Sequence, residues 1–290
     1  MPSRRTFLKT LGLLGLTACS RPAVDATPSA SRETGTPRTL LPTSTRVTPS
    51  RTAPALPTPT RTMCRTGSGE AAFLAGHEVF RGDTSRNVIL MTYDDFAFTT
   101  GAAGDNFDKI LSAYKDLRCK TTFFLPGGYE NVISLDLMAP VIERIVTEGH
   151  AFGCHGLFHV PQTPIPDDSL RANTEQWLKI VRAILPGYAV RWFRAPFGDT
   201  DARVRAVYAE YGMQSVKWSV ESNGMIQDTL RHVIDTARPG DIVLSHSQRE
   251  FDANYARTIL AFLLDRGFSV ESVETGLAPG DYYHDPCVID

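Results

Sequence analysis

The chain has 290 residues, with 30 Lys/Arg against 32 Asp/Glu, 42% hydrophobic residues and five cysteines. Residues 1–62 hold nine of the basic residues and two of the acidic ones, so residues 63–290 keep 21 and 30, a formal charge of −9 that argues against nucleic acid or anionic lipid as the main partner. Beyond Cys19, the four cysteines Cys64, Cys119, Cys154 and Cys287 lack zinc-finger spacing and are too few for a disulfide scaffold in a domain this large.

The chain opens on a basic segment with the twin arginine Arg4-Arg5, followed by a short apolar run from Leu11 to Leu16 and by Leu16-Thr17-Ala18-Cys19. The run is far shorter than the roughly 20 residues a bilayer needs, so residues 1–19 read as a cleaved export signal and not as a span. The arginine pair resembles a bacterial Tat signal, and the small residues before Cys19 resemble a lipobox. An ordinary secretory signal with an incidental cysteine is the plainer alternative. Residues 20–62 are rich in Pro, Thr and Ser, with no aromatic residue and no cysteine. Such a segment has too little apolar surface to offset chain entropy and is expected to be an extended, disordered linker. The expected location is therefore outside the cytoplasmic membrane, the membrane being reached only through a lipid on Cys19.

Residues 63–290 have the size of one α/β domain. Val88 to Tyr93 reads as a buried strand, after which Phe107, Ile110, Leu111, Tyr114 and Leu117 fall at helical spacing. Thr121 to Leu125 is the second strand, and a helix marked by Val141, Ile142, Ile145 and Val146 stops at Gly149. A third strand, Ala151 to Cys154, precedes a long helix from Leu170 to Ile184. Arg191 to Arg194 is the fourth strand, followed by a helix from Ala202 to Tyr211. Gln214 to Ser219 is the fifth, with a helix near Thr229 to Ala237. Asp241 to Leu244 is the sixth, with a helix from Asn254 to Arg266, and Phe268 to Val273 ends the series. About seven β–α units imply a parallel sheet, barrel or doubly wound. No glycine-rich phosphate loop follows the first strand, where Asp94-Asp95-Phe96 stands instead, so an irregular (β/α) barrel fits better than a nucleotide-binding open sheet.

In such a barrel the chemistry sits in the βα loops at the C-terminal strand ends. Those positions hold Asp94 and Asp95, His155 and His159, Arg194, Glu221 and His246. Each is weak alone. An Asp pair after a strand is more often turn or cap chemistry, two histidines four apart share a face only if their loop is helical, and a lone histidine is usually structural. Together they supply two imidazoles and a carboxylate for a metal, a second carboxylate as base and another imidazole as acid, the full requirement of metal-assisted hydrolysis.

Thr92-Tyr93-Asp94-Asp95, His155-Gly156-Leu157-Phe158-His159, Arg194-Ala195-Pro196-Phe197 and Leu244-Ser245-His246 stand in the order of the motifs of the polysaccharide deacetylase family, the NodB-like enzymes of carbohydrate esterase family four, which the chain resembles over about residues 87–270. The resemblance implies a NodB-like barrel and the removal of acetyl groups from acetylated polysaccharide. It also implies a divalent ion, zinc first, held by Asp95, His155 and His159. Asp94 would be the base, Arg194 would orient it and keep it ionised, and His246 would protonate the leaving amine. Phe197, through its backbone N–H, and Pro196 would line the substrate.

The departures from the pattern are Gly156 in place of a Ser or Thr, and Phe96 in place of a Gly, expected to crowd the rim of the site. In the fourth motif Glu221 replaces an aspartate, with no tryptophan shortly after it. Glu221 is expected to reach His246 and raise its pKa. Cys64 and Cys287, which bracket the domain, are expected to pair, and Cys119 and Cys154 to be buried thiols. A glycan-binding protein of the same fold that does not cleave, and an amidase on a small non-sugar substrate, are the alternatives.

Overall fold

In a computed structural model, residues 68–128, 132–221, 233–278 and 280–281 are described. The leader, the linker, Cys64, Cys287 and the segment after Glu221 lie outside the described residues. All described residues belong to one unit, Ala55–Asp290.

Among the described residues nine strands, all parallel, form one sheet: β1 (Glu78–Val79), β2 (Val88–Asp94), β3 (Thr122–Leu125), β4 (Ala151–Cys154), β5 (Trp192–Phe193), β6 (Gln214–Val216), β7 (Val220–Glu221) beside β8 (Ile242–His246), and β9 (Ser269–Glu271) beside β2. The order β1-β6-β5-β4-β3-β2-β8-β7 leaves two ends. An antiparallel bridge between Arg81, after β1, and Asp241, before β8, ties one end to the other. The expected irregular barrel is the architecture observed.

Period-two alternation explains how the strands fill it. Val88 and Leu90 on β2, Phe124 on β3, Trp192 on β5, Val216 on β6 and Ile242 on β8 meet in the barrel interior. Their neighbours Ile89, Met91, Tyr93, Phe123, Phe193 and Val243 face outward against the helices. Each fully buried aliphatic or aromatic side chain of this kind contributes on the order of 2 kcal/mol. The covering helices are α1 (Ser68–Gly76), α2 (Gly101–Leu117), α3 (Leu135–Thr147), α4 (Asp167–Ile184), α5 (Ala202–Ala209) and α6 (Glu250–Asp265). A last turn, α7, spans Val273–Gly276.

The sequence misses the short elements α1, β1, β7 and α7, which carry too few residues to show a period. Of the helix expected near 229–237, residues 233–236 are described and helical. Phe96 does not crowd the site. It is buried in the outer core with its ring 5.0 Å from that of Phe98, because the chain turns at Asp95 (φ 70°) and aims it beneath the sheet. Cys119 and Cys154 are buried free thiols.

Candidate metal centre and active site

The alternation that puts Leu90 inside the barrel also points Thr92 and Asp94 inward at the open end of β2. In the same way Arg194 follows the inward Trp192 of β5, and His246 the inward Ile242 of β8. Asp94 and His246 are register partners on adjacent strands, so the expected base and acid stand side by side.

Arg194 is fully buried. Its Nη1 donates to Asp94 Oδ1 at 2.6 Å and to Thr92 Oγ1 at 2.8 Å, Nε to the Val216 carbonyl at 3.1 Å and Nη2 to the Lys217 carbonyl at 3.0 Å. The guanidinium also lies over the Phe124 ring, 4.1 Å from its centroid. Burial pulls the Arg194 pKa down and the Asp94 charge opposes it. A guanidinium stays protonated even so. With Oδ1 engaged, Asp94 turns Oδ2 toward the centre, 3.8 Å from His155 Nε2.

His155 directly follows β4 and is buried. Its Nδ1 lies 2.8 Å from the Arg194 carbonyl, which can only accept, so Nδ1 carries the proton and Nε2 offers a lone pair. That Nε2 lies 3.5 Å from Asp95 Oδ1, and His159 Nε2 lies 3.0 Å from the same oxygen. Asp95 Oδ1 is buried without a hydrogen bond of proper geometry, although both imidazoles approach it. One ligand atom each from Asp95, His155 and His159 falls within 4.8 Å of the other two. A divalent ion fits such a set: a buried acceptor lacking a donor, one imidazole with its tautomer fixed, and a second imidazole facing the same oxygen.

Burial pushes the Asp95 carboxyl up, but His155, His159 and Gln248 more than reverse this and hold it well below the usual carboxylate range. The Asp95 carboxylate raises the His159 pKa against the effect of its partial burial.

The loop between β4 and α4 is irregular, not helical. The two histidines therefore converge through tertiary ties and not through i,i+4 spacing. Gly156 adopts φ 77°, and its carbonyl accepts from the Gly127 N–H at 3.0 Å. Gln162 donates to the Val160 carbonyl at 2.6 Å and accepts from the Tyr208 hydroxyl at 3.0 Å.

Phe197 also lies in the left-handed region, at φ 60°, which costs a non-glycine residue about 1 kcal/mol. Its ring is 65% exposed and meets the His159 ring edge-on at 4.4 Å, forming one wall of the site. Pro196 is buried and packs beside Gly156, so it shapes the loop and offers no surface to a substrate. Trp218 closes over Gly198, where a Cβ would stand 2.9 Å from the ring.

Glu221 does not join His246. It is exposed and pairs in register with Leu244, one pleat repeat short of His246, and no ion pair within 4 Å joins the two among the described residues. The carboxylate beside His246 is that of Asp252, whose Oδ2 accepts from the His246 backbone N–H at 2.8 Å and lies 4.0 Å from its Nδ1. Two more residues of this loop reach the aspartates. Gln248 Nε2 donates to Asp95 Oδ2, and Ser247 donates from N and Oγ, each at 3.2 Å, to the Asp94 carbonyl. Gln248 and Ser247 were visible in the βα loop after β8, but nothing in their spacing marks them. Asp252 reads in the sequence as an acidic residue of a helix first turn.

Residues 81–216 match the polysaccharide deacetylase family model. That stretch includes Asp94, Asp95, His155, His159 and Arg194. Over those residues the chain is similar to the polysaccharide deacetylases. Among curated members it is 29% identical over 172 residues to a peptidoglycan-N-acetylglucosamine deacetylase of Bacillus cereus, an overlap of 58% of each chain. It is 25% identical over 210 residues to a chitooligosaccharide deacetylase of Sinorhizobium fredii, covering 67% of this chain and 93% of that one. The match thus spans less than two thirds of the Bacillus cereus relative. A carbohydrate esterase family four pseudoenzyme from Bacillus anthracis shares the fold, with TM-score 0.61, 21% identity and 69% of each chain covered. Similarity and shared fold thus leave activity to be argued from the site.

Proposed function

We propose that this polysaccharide deacetylase domain is an active, metal-dependent hydrolase that removes acetyl groups from N-acetylated glycan. The observation carrying this reading is the buried Asp95 Oδ1, without a hydrogen bond and faced by the Nε2 atoms of His155 and His159. Zinc suits two imidazoles and one carboxylate. When bound there, the ion supplies Lewis-acid polarisation of the acetyl carbonyl and a lowered pKa for water.

The protein groups divide the remaining work. Arg194 fixes Asp94 through Oδ1, leaving Oδ2 to take a proton from the attacking water. The backbone N–H of Phe197 would donate to the negative charge that develops on the acetyl oxygen. His246 delivers a proton to the departing amine, giving acetate and a free amino sugar. Phe197, exposed at the rim, offers an aromatic face for a sugar ring.

Peptidoglycan and chitin-type chains are the substrates favoured by the relatives. Export through the Tat-type leader, a lipid at Cys19 and a Pro/Thr-rich tether would bring the domain to a surface polymer. That part of the proposal rests on sequence, and palmitate labelling that survives Cys19→Ala would end it.

Acetate release from N-acetylated and O-acetylated glycans, with and without a chelator, tests the activity. Chelator-sensitive release supports it. Glycan binding without release, in metal-loaded protein, favours the non-cleaving reading, for which a Glu221 that does not reach His246 is the best support.

A further inference from the structure

We propose that Asp252 is the positioning residue of His246, holding its imidazole by Nδ1 so that Nε2 faces the substrate. The inference rests on the reading of His246 as the proton donor, and it assigns to α6 a task that the sequence pattern gives to the fourth motif. His246 Nδ1 is buried and has no hydrogen-bond partner among the described residues. The Asp252 carboxylate is itself buried, and its Oδ2 is already fixed by the His246 backbone N–H at 2.8 Å, leaving the same oxygen 4.0 Å from Nδ1. A ring rotation that shortens this gap by about 1 Å completes an Nδ1–H···Oδ2 bond without moving the main chain. The location suits a carboxylate, because Asp252 lies in the first turn of α6, where the helix dipole favours negative charge.

The need for such a partner is plain from the surroundings. Burial pushes the His246 imidazole down to about 4, and Arg249 and His155 push the same way against Asp94 and Asp95. A donor histidine emptied of its proton at neutral pH would be idle. A carboxylate within about 4–6 Å raises an imidazole pKa by about 1–3 units, and more when a hydrogen bond forms. Among the described residues, the charged groups around the ring are Asp94 from β2, Asp95 after it, His155 after β4, Arg249 at the start of α6 and Asp252 within it. Of these, Asp252 is the carboxylate whose oxygen reaches Nδ1 within 4.0 Å.

The test is an NMR titration of the His246 ring nitrogens in the full chain without added metal, in wild type, Asp252→Asn and Glu221→Gln. Asn keeps an oxygen for the His246 N–H, and Asp252→Ser, which also keeps one, serves if Asn does not fold. The expected result is a His246 midpoint lower by at least about one unit in the Asp252 variants, and unmoved in Glu221→Gln. In the metal-loaded enzyme kcat should fall with KM unchanged, and the alkaline limb of the rate profile should move to lower pH. A midpoint within about 0.3 unit of wild type in a folded Asp252 variant overturns the assignment. So does an equal shift in Glu221→Gln. Because the titration needs no turnover, an inactive protein would refute the proposed activity and leave this result standing.

Discussion

Arg194→Met is the most incisive perturbation of the site. The guanidinium is fully buried and serves four acceptors: Asp94 Oδ1, Thr92 Oγ1 and the carbonyls of Val216 and Lys217. Methionine fills most of the volume and removes every donor. The largest consequence is Asp94, 4% exposed, left as a buried charge without its counter-ion, which costs about 3–5 kcal/mol. Against a total stability of about 5–15 kcal/mol for a domain, the variant should fold but unfold at much lower denaturant. The cause can be isolated by a cycle. In Arg194→Met with Asp94→Asn the orphaned charge is gone, so about 2 kcal/mol of the loss should return. Arg194→Lys keeps the charge but not the planar fork, and should lose about 1–3 kcal/mol through the unserved carbonyls. Urea unfolding of the full chain, followed by tryptophan fluorescence, reads all four proteins. A loss below about 1 kcal/mol in Arg194→Met, or a double variant no better than the single one, would refute the reasoning.

Asp95→Ala, His155→Ala and His159→Ala should each lose bound zinc, whereas Asp94→Asn should keep it and lose acetate release; metal analysis after dialysis separates the two classes. Gly156→Ala should lose about 1–2 kcal/mol and weaken zinc affinity. Its φ of 77° disfavours a side chain, and the new Cβ would stand 3.1 Å from the Phe158 carbonyl oxygen; a zinc affinity equal to wild type in competition titration would count against this. Burial pushes the His150 pKa down to about 4, from 6.5, with the Lys120 charge assisting. The folded state thus prefers neutral His150, so its contribution, on the order of 3 kcal/mol, is fully present above pH 6.5 and is lost as pH falls toward 4. Replacing it by leucine should flatten urea midpoints across that window, and an unchanged slope would show that other groups govern acid stability.

Much of this protein is legible in its residues alone. Leu90, Thr92 and Asp94 alternate with Ile89, Met91 and Tyr93 because a strand turns successive side chains to opposite faces, and that rule already aims Asp94 into the barrel. The β–α alternation and the C-terminal position of each reactive side chain follow from patterns that local chemistry imposes, whereas the choice of Asp95, His155 and His159 as metal ligands is what the resemblance implies. Other features depend on contacts between segments far apart in the chain, which no local period encodes. The His155 tautomer is set by the carbonyl of Arg194, 39 residues away. Phe96 leaves the rim because Asp95 turns the chain, and Pro196 sinks beneath Gly156. The choice between Glu221 and Asp252 as partner of His246 depends on strand register and on where α6 docks. A shift of one pleat repeat decides it. Register and docking are settled by the packing of the whole barrel, so the sequence named the chemistry and the tertiary structure chose which carboxylate stands where.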